Sequence, residues 1–256
     1  MFGNSNDHPA VMEAHTPSAV RLRLDAAPSH SYLRDFVYGA VDGTVTTFAV
    51  VSGVAGASLP ARIVLVLGIA NVVADGFSMA VGNFLATKAE RQLFEQARRT
   101  EYRHVDDVPV GEREEVRQIY AAKGFSGGDL ERAVEVITAD RDRWVETMLR
   151  EELGLAREIP SAWRAALATF AAFLAAGLVP LAAFAYVIAR SDARINPFVW
   201  SAAMTAGVFF VIGAIKGRLV DQPWYRSGLE VLAVGGGAAM LAYVLGMLLK
   251  DVGAPG

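Results

Sequence analysis

Two carboxylates stand where hydrocarbon would be expected. Asp42 and Asp75 each fall inside a long apolar run. A central Asp costs about 2.5–3.5 kcal/mol on insertion scales, so such a group normally faces a protein interior or a wet cavity and marks an ion path. Asn71, Asp75, Met79 and Asn83 recur every four residues, with Ser78 and Gly82 beside them. That spacing lines them along one helix face. Asp35, Tyr38, Asp42, Thr46 and Ser52 make a comparable stripe. Two such stripes facing each other form a hydrophilic route. The same residue types also act as hydrogen-bond glue between helices, and for Asn71, Asn83 and the threonines both readings stand. Met79 alone reads as packing; beside carboxylates its thioether is also a soft metal ligand.

A second group lies in a polar stretch. Glu112 and Glu115 are three residues apart, as are Glu101 and His104, and Met148 and Glu151, with Glu152 next to the latter. Oxygen ligands with imidazole and thioether suit a borderline divalent metal such as Fe²⁺ or Mn²⁺. The bland alternative is a solvated helix face on which Arg98, Arg113, Arg117 or Arg150 pairs with the acids. A di-iron enzyme site would want Glu-x-x-His on two helices, and only Glu101 and His104 fit, so no enzyme and no organic cofactor are expected.

These side chains need elements to hold them. The chain has 256 residues, 53% hydrophobic and 20% charged, with mean hydropathy +0.32. The charges are segregated: residues 88–160 hold 13 of the 24 Lys+Arg and 17 of the 27 Asp+Glu. That split fits a membrane protein with an inserted polar domain. No basic stripe suggests nucleic acid. The absence of Cys excludes thiolate sites. Spans are expected at about Phe36–Ala57, Ile63–Ala86, Ala165–Ala189 (kinked at Pro180), Pro197–Ile215 and Leu229–Leu249. Each offers about 20 residues, enough for a ~30 Å hydrocarbon layer, and only helices satisfy their backbone there.

The expected architecture is all-α. It runs as a flexible tail (1–33, with His8, His15 and His30), spans one and two (34–87), a helical domain (88–160) and spans three to five (161–250). Within the domain, helices are expected from Pro109 to Lys123, from Asp129 to Thr138 and from Asp140 to Leu153. Lys88–His104 prolongs the second span. Lys216 and Glu230 read as interfacial. With the N-terminus inside, the inner side gathers Arg21, Arg23, Arg34, the 88–160 domain, Lys216, Arg218 and Arg226. The outer side holds Arg62, Arg190, Arg194 and Lys250. The positive-inside rule therefore puts the N-terminus and the domain in the cytoplasm. Only four basic residues are Lys, an Arg bias common in GC-rich bacterial genomes, so a bacterial plasma membrane is expected.

Residues 42–57 (DGTVTTFAVVSGVAGA) and 74–90 (ADGFSMAVGNFLATKAE) closely resemble the first two spans of the vacuolar iron transporter family. Residues 151–155 (EELGL) are similar to the end of its cytoplasmic domain, and 177–181 (GLVPL) to its third span. The resemblance implies a homodimer of five-helix subunits with a cytoplasmic metal-binding domain between spans two and three. It implies export of Fe²⁺, and often Mn²⁺, from the cytosol in exchange for protons, along a path between the subunits in the lipid. It assigns the metal in the membrane path to Asp42 and Met79. In the domain it assigns metal to Glu101, Glu112, Glu115, Met148 and Glu152. Asn71 stands where eukaryotic iron exporters carry a carboxylate, which Asp75 on the next turn can replace. His104 stands where a Glu is usual, and Leu149 where a second Met or an acid is expected. Without the resemblance, a metal-binding scaffold or sensor with no flux remains an alternative.

Overall fold

The computed structural model describes residues 12–25, 31–155, 160–190 and 196–250. His8, His30 and Arg194 lie outside these. Among the described residues the elements are helices, with no strand. Within the expected tail, α1 (Pro17–Asp25) carries Arg21 and Arg23. The spans begin with α2 (Leu33–Gly56) and α3 (Ala61–Asp107). α3 is a single run of 47 residues. No Gly-Pro break interrupts it until Val108-Pro109, where the residue before proline is disfavoured in helical conformation.

The chain divides into two compact units, Met1–Phe84 with Trp163–Gly256, and Leu85–Ala162. In the first, α2, the early part of α3, α9 (Pro197–Leu219) and α10 (Trp224–Leu249) are each long and apolar enough to cross a membrane. The expected third span is two helices, α7 (Ala162–Gly177) and α8 (Val179–Arg190), bent by 45° at Leu178. Pro180 does more than kink it: lacking an N–H, it sits in the first turn of a new helix, where that donor is not needed. Among the described residues the count is four spans, or five with the bent pair as one. The protein is a multi-pass membrane protein.

α2 packs on α8, α9 and α10 in this unit. It gets close through small residues: a Cβ at Gly43 would lie 2.9 Å from Phe173 Cα of α7. Phe48, Val51 and Val54 of α2 join Val64 and Val72 of α3, Phe173, Leu181, Phe184 and Phe209 in one core.

The second unit adds α4 (Pro109–Ala122), α5 (Gly127–Thr138) and α6 (Arg141–Glu151) to the end of α3. α5 starts three residues earlier than a cap at Asp129 would set, with Ser126 at its N-cap position and Asp129 in its first turn. α6 is capped by Asp140, whose carboxylate accepts from the Arg143 N–H. Val105, Val116, Leu130, Val134, Ile137, Trp144, Val145, Met148 and Leu149 form its core.

Candidate metal centre

In the second unit the end of α3 and the start of α4 bring three ligand side chains together. Glu101 and His104 share a face of α3 by their three-residue spacing, and Glu112 arrives from the first turns of α4. One ligand atom from each lies within 4.8 Å of the others. His104 Nδ1 is 3.3 Å from Glu112 Oε1 and 4.0 Å from Glu101 Oε1. Both carboxylates are buried, 4% and 3% exposed, while His104 opens to solvent. The second oxygen of each, Glu101 Oε2 and Glu112 Oε2, is buried and has no hydrogen-bond partner. Buried carboxylate oxygens left unpaired are costly, and a cation is the partner that suits several at once.

The charges show the same crowding. Burial pushes the Glu112 carboxyl up to about 7, with the charges of Glu115 and Glu101 adding to the rise and His104 opposing it. Glu101 is raised by burial and by Glu152, against His104. Glu152 is raised by burial and by Glu115. Five residues from α3, α4 and the end of α6 are thus electrostatically joined: Glu101, His104, Glu112, Glu115 and Glu152.

Three of the four arginines that could have neutralised this group have partners elsewhere. Arg117 holds Glu114, Arg98 donates to Tyr102, and Arg113 donates to Thr138. Two candidates stand differently. Glu151 is ion-paired with Lys123. Met148 is fully buried within the apolar core of the unit. A set of contacts that the spacing did not reveal fixes the α3 end: Arg141 of α6 chelates Asp106 and lies 4.4 Å over the Tyr102 ring. Tyr102 donates to Asp142. These partners are 35–40 residues apart, so no local pattern announces them.

In the first unit, Asp42 lies on α2 and Asp75 on α3. Asp42 is half-buried and Asp75 exposed. Asn71 is half-buried, with its Nδ2 buried and unpartnered. Met79 packs against the apolar core. The outer parts of both stripes do other work. Asn83 donates to Asp35 and to Thr169, joining α3, α2 and α7 as hydrogen-bond glue. The Thr46 hydroxyl donates to the Asp42 carbonyl of its own helix, and Ser52 is buried. Lys216 and Glu230, expected as separate interfacial groups, bond to each other at 3.2 Å.

The profile of the VIT family matches residues 33–247. The chain belongs to this family. A vacuolar iron transporter of Toxoplasma gondii is 33% identical over 230 residues, covering 88% of this chain and 76% of the relative. Vacuolar iron transporter 1 of Tulipa gesneriana is 29% identical over 242 residues, 93% and 96% of the two chains. Vacuolar iron transporter 1 of Arabidopsis thaliana is 30% identical over 219 residues, 85% and 86%. In this VIT-family chain the matched stretch contains both groups of candidate residues, from Asp42 to Glu152.

Proposed function

We propose that this VIT-family protein exports Fe²⁺ from the cytosol in exchange for protons, as a homodimer with the ion path between subunits. The observation that carries the reading is the Glu101–His104–Glu112 cluster, with its buried, unpartnered carboxylate oxygens. In this reading these three, with Glu115 and Glu152, capture the cation; Met148, in the apolar core, and Glu151, paired with Lys123, take no part in the capture. Capture raises the local ion concentration beside the membrane. Asp42 and Met79 then bind the ion at bilayer depth, with Asp75 and Asn71 completing the path.

Coupling follows from competition. A carboxylate must lose its proton to bind a cation, so metal and proton contend for the same oxygens. Protonation of Asp42 or Asp75 from an acidic far side releases the metal, and the proton gradient drives the cycle.

The dimer is supported by the surface of α3. Asp75 is exposed in the single chain, on a helix that also exposes Val66, Leu67, Ile69, Val73 and Phe77 on its other faces. In an isolated subunit that carboxylate would meet acyl chains, at the insertion cost already given. A second copy against α3 encloses the carboxylate. The Lys/Arg distribution supports a cytoplasmic N-terminus and metal-binding unit, and the Arg bias supports a bacterial plasma membrane.

The cargo is Fe²⁺ before Mn²⁺, because imidazole and thioether both favour the later, softer ion. The test is uptake into vesicles holding the purified protein, with an imposed pH gradient and either ion. The expected result is Fe²⁺ accumulation that excess Mn²⁺ slows only weakly. Mn²⁺ uptake that Fe²⁺ does not inhibit would make it a manganese transporter. Ion binding without accumulation would make it a scaffold or sensor.

A further inference from the structure

The end of α9 and the start of α10 form a groove that the transport reading does not use. Phe210, Val211, Ala214, Ile215 and Arg218 follow one another along a single face of α9, and Trp224, the first residue of α10, closes the other side. The groove has a volume of about 310 Å³. Trp224 meets the Phe210 ring edge-on, with centroids 5.8 Å apart and planes at 84°. Val211, Ile215 and Trp224 are exposed. The shape comes from close packing just behind it: a Cβ at Gly217 would stand 2.8 Å from Ser227 Cβ, so the two backbones touch there and the larger side chains splay outward.

The charge is at one end. Among the described residues Arg218 forms no ion pair, although Lys216, two residues before it, is satisfied by Glu230. Asp221 lies in the turn in the left-handed region (φ 53°) and does not pair with Arg218 among the described residues. From Phe210 to Arg218 the helix rises about 12 Å, the length of roughly ten methylenes. An apolar trough of that length, ended by an unpaired guanidinium and a tryptophan at the end of a span, has the polarity of an interfacial lipid site.

We propose that this groove holds an acyl chain of an anionic phospholipid, with Arg218 bound to its phosphate and Trp224 against the start of the chain. The charge order of the groove, apolar length and then cation, fits an amphiphile with a single anionic head. It does not fit the face of a second copy, which would have to bring an unpaired carboxylate to the same spot.

The experiment is native mass spectrometry of the full chain in detergent, titrated with dioleoylphosphatidylglycerol or dioleoylphosphatidylcholine. Near a membrane surface one Arg contributes about 1 kcal/mol toward anionic lipid, or about fivefold in affinity. The expected result is one tight phosphatidylglycerol adduct on the wild type, preferred about fivefold. Arg218→Gln should lose the preference, and Arg190→Gln, at the exposed end of α8, should keep it. Equal binding of the two lipids, unchanged preference in Arg218→Gln, or equal loss in both variants overturns the proposal. So does a shift of Arg218→Gln from dimer to monomer with lipid binding intact, which would make the groove a protein interface. If Arg218→Gln does not fold, Ile215→Trp fills the groove with Arg218 in place: loss of the adduct supports the proposal, and its survival overturns it.

Discussion

Glu112 and Glu114 sit two residues apart on α4 and live in opposite environments. Glu114 is taken by Arg117 and Gln118 and held down to about 2, while burial lifts Glu112 to about 7. The one with no arginine partner, Glu112, is the candidate ligand. Because its folded value lies above the ordinary 4.5, the metal-free protein holds the extra proton between those values and loses stability as pH rises through that window. Thermal melts of metal-free protein should therefore fall between pH 5 and pH 8, and Glu112→Gln should flatten that fall. Metal affinity follows the opposite slope, gaining up to about tenfold per pH unit below 7 and levelling above it. His104 makes a second prediction: His104→Glu should narrow the preference for Fe²⁺ over Mn²⁺ in competition titrations, since an oxygen replaces nitrogen. The i, i+3 spacing made Glu101 with His104 and Glu112 with Glu115 visible in the sequence. That Glu101 and Glu112 would converge from different helices, and that Lys123 would take Glu151, was not visible, since each depends on how α3, α4 and α6 pack.

At the scale of elements, α2 is held in the bundle by residues without bulk. Gly43→Leu should place side-chain atoms against the Phe173 backbone and destabilise the membrane unit by about 1–3 kcal/mol, read as a lower melting temperature in detergent. Asn83→Ala removes two interhelical hydrogen bonds and should cost about 1 kcal/mol in the same assay. The spans were legible because twenty apolar residues admit one structure in lipid. The break at Leu178 was only partly so: Pro180 signals a disturbance, but whether the helix bends or restarts depends on what packs around it. Asp140, expected as the start of a helix, is the N-cap of α6, and α5 begins after Ser126 with Gly127 at φ 53°. The stripes were read as one surface each, and the structure divides them. Asp35 and Asn83 bond across helices, while Asp42 is half-buried and Asp75 exposed.

At the scale of the molecule, the exposed carboxylate of α3 requires either a partner or a penalty. Asp75→Leu is expected to leave folding and dimerisation intact while weakening transport, because an apolar side chain satisfies the interface without serving the ion. The central claim is that Asp42 lines a cation pathway. Fe²⁺ uptake into vesicles under an imposed proton gradient, wild type against Asp42→Asn at equal reconstitution, tests it most directly. The account predicts gradient-dependent uptake by the wild type and uptake at the level of protein-free vesicles for Asp42→Asn. Undiminished flux in the variant, or wild-type flux indifferent to the gradient, would contradict it.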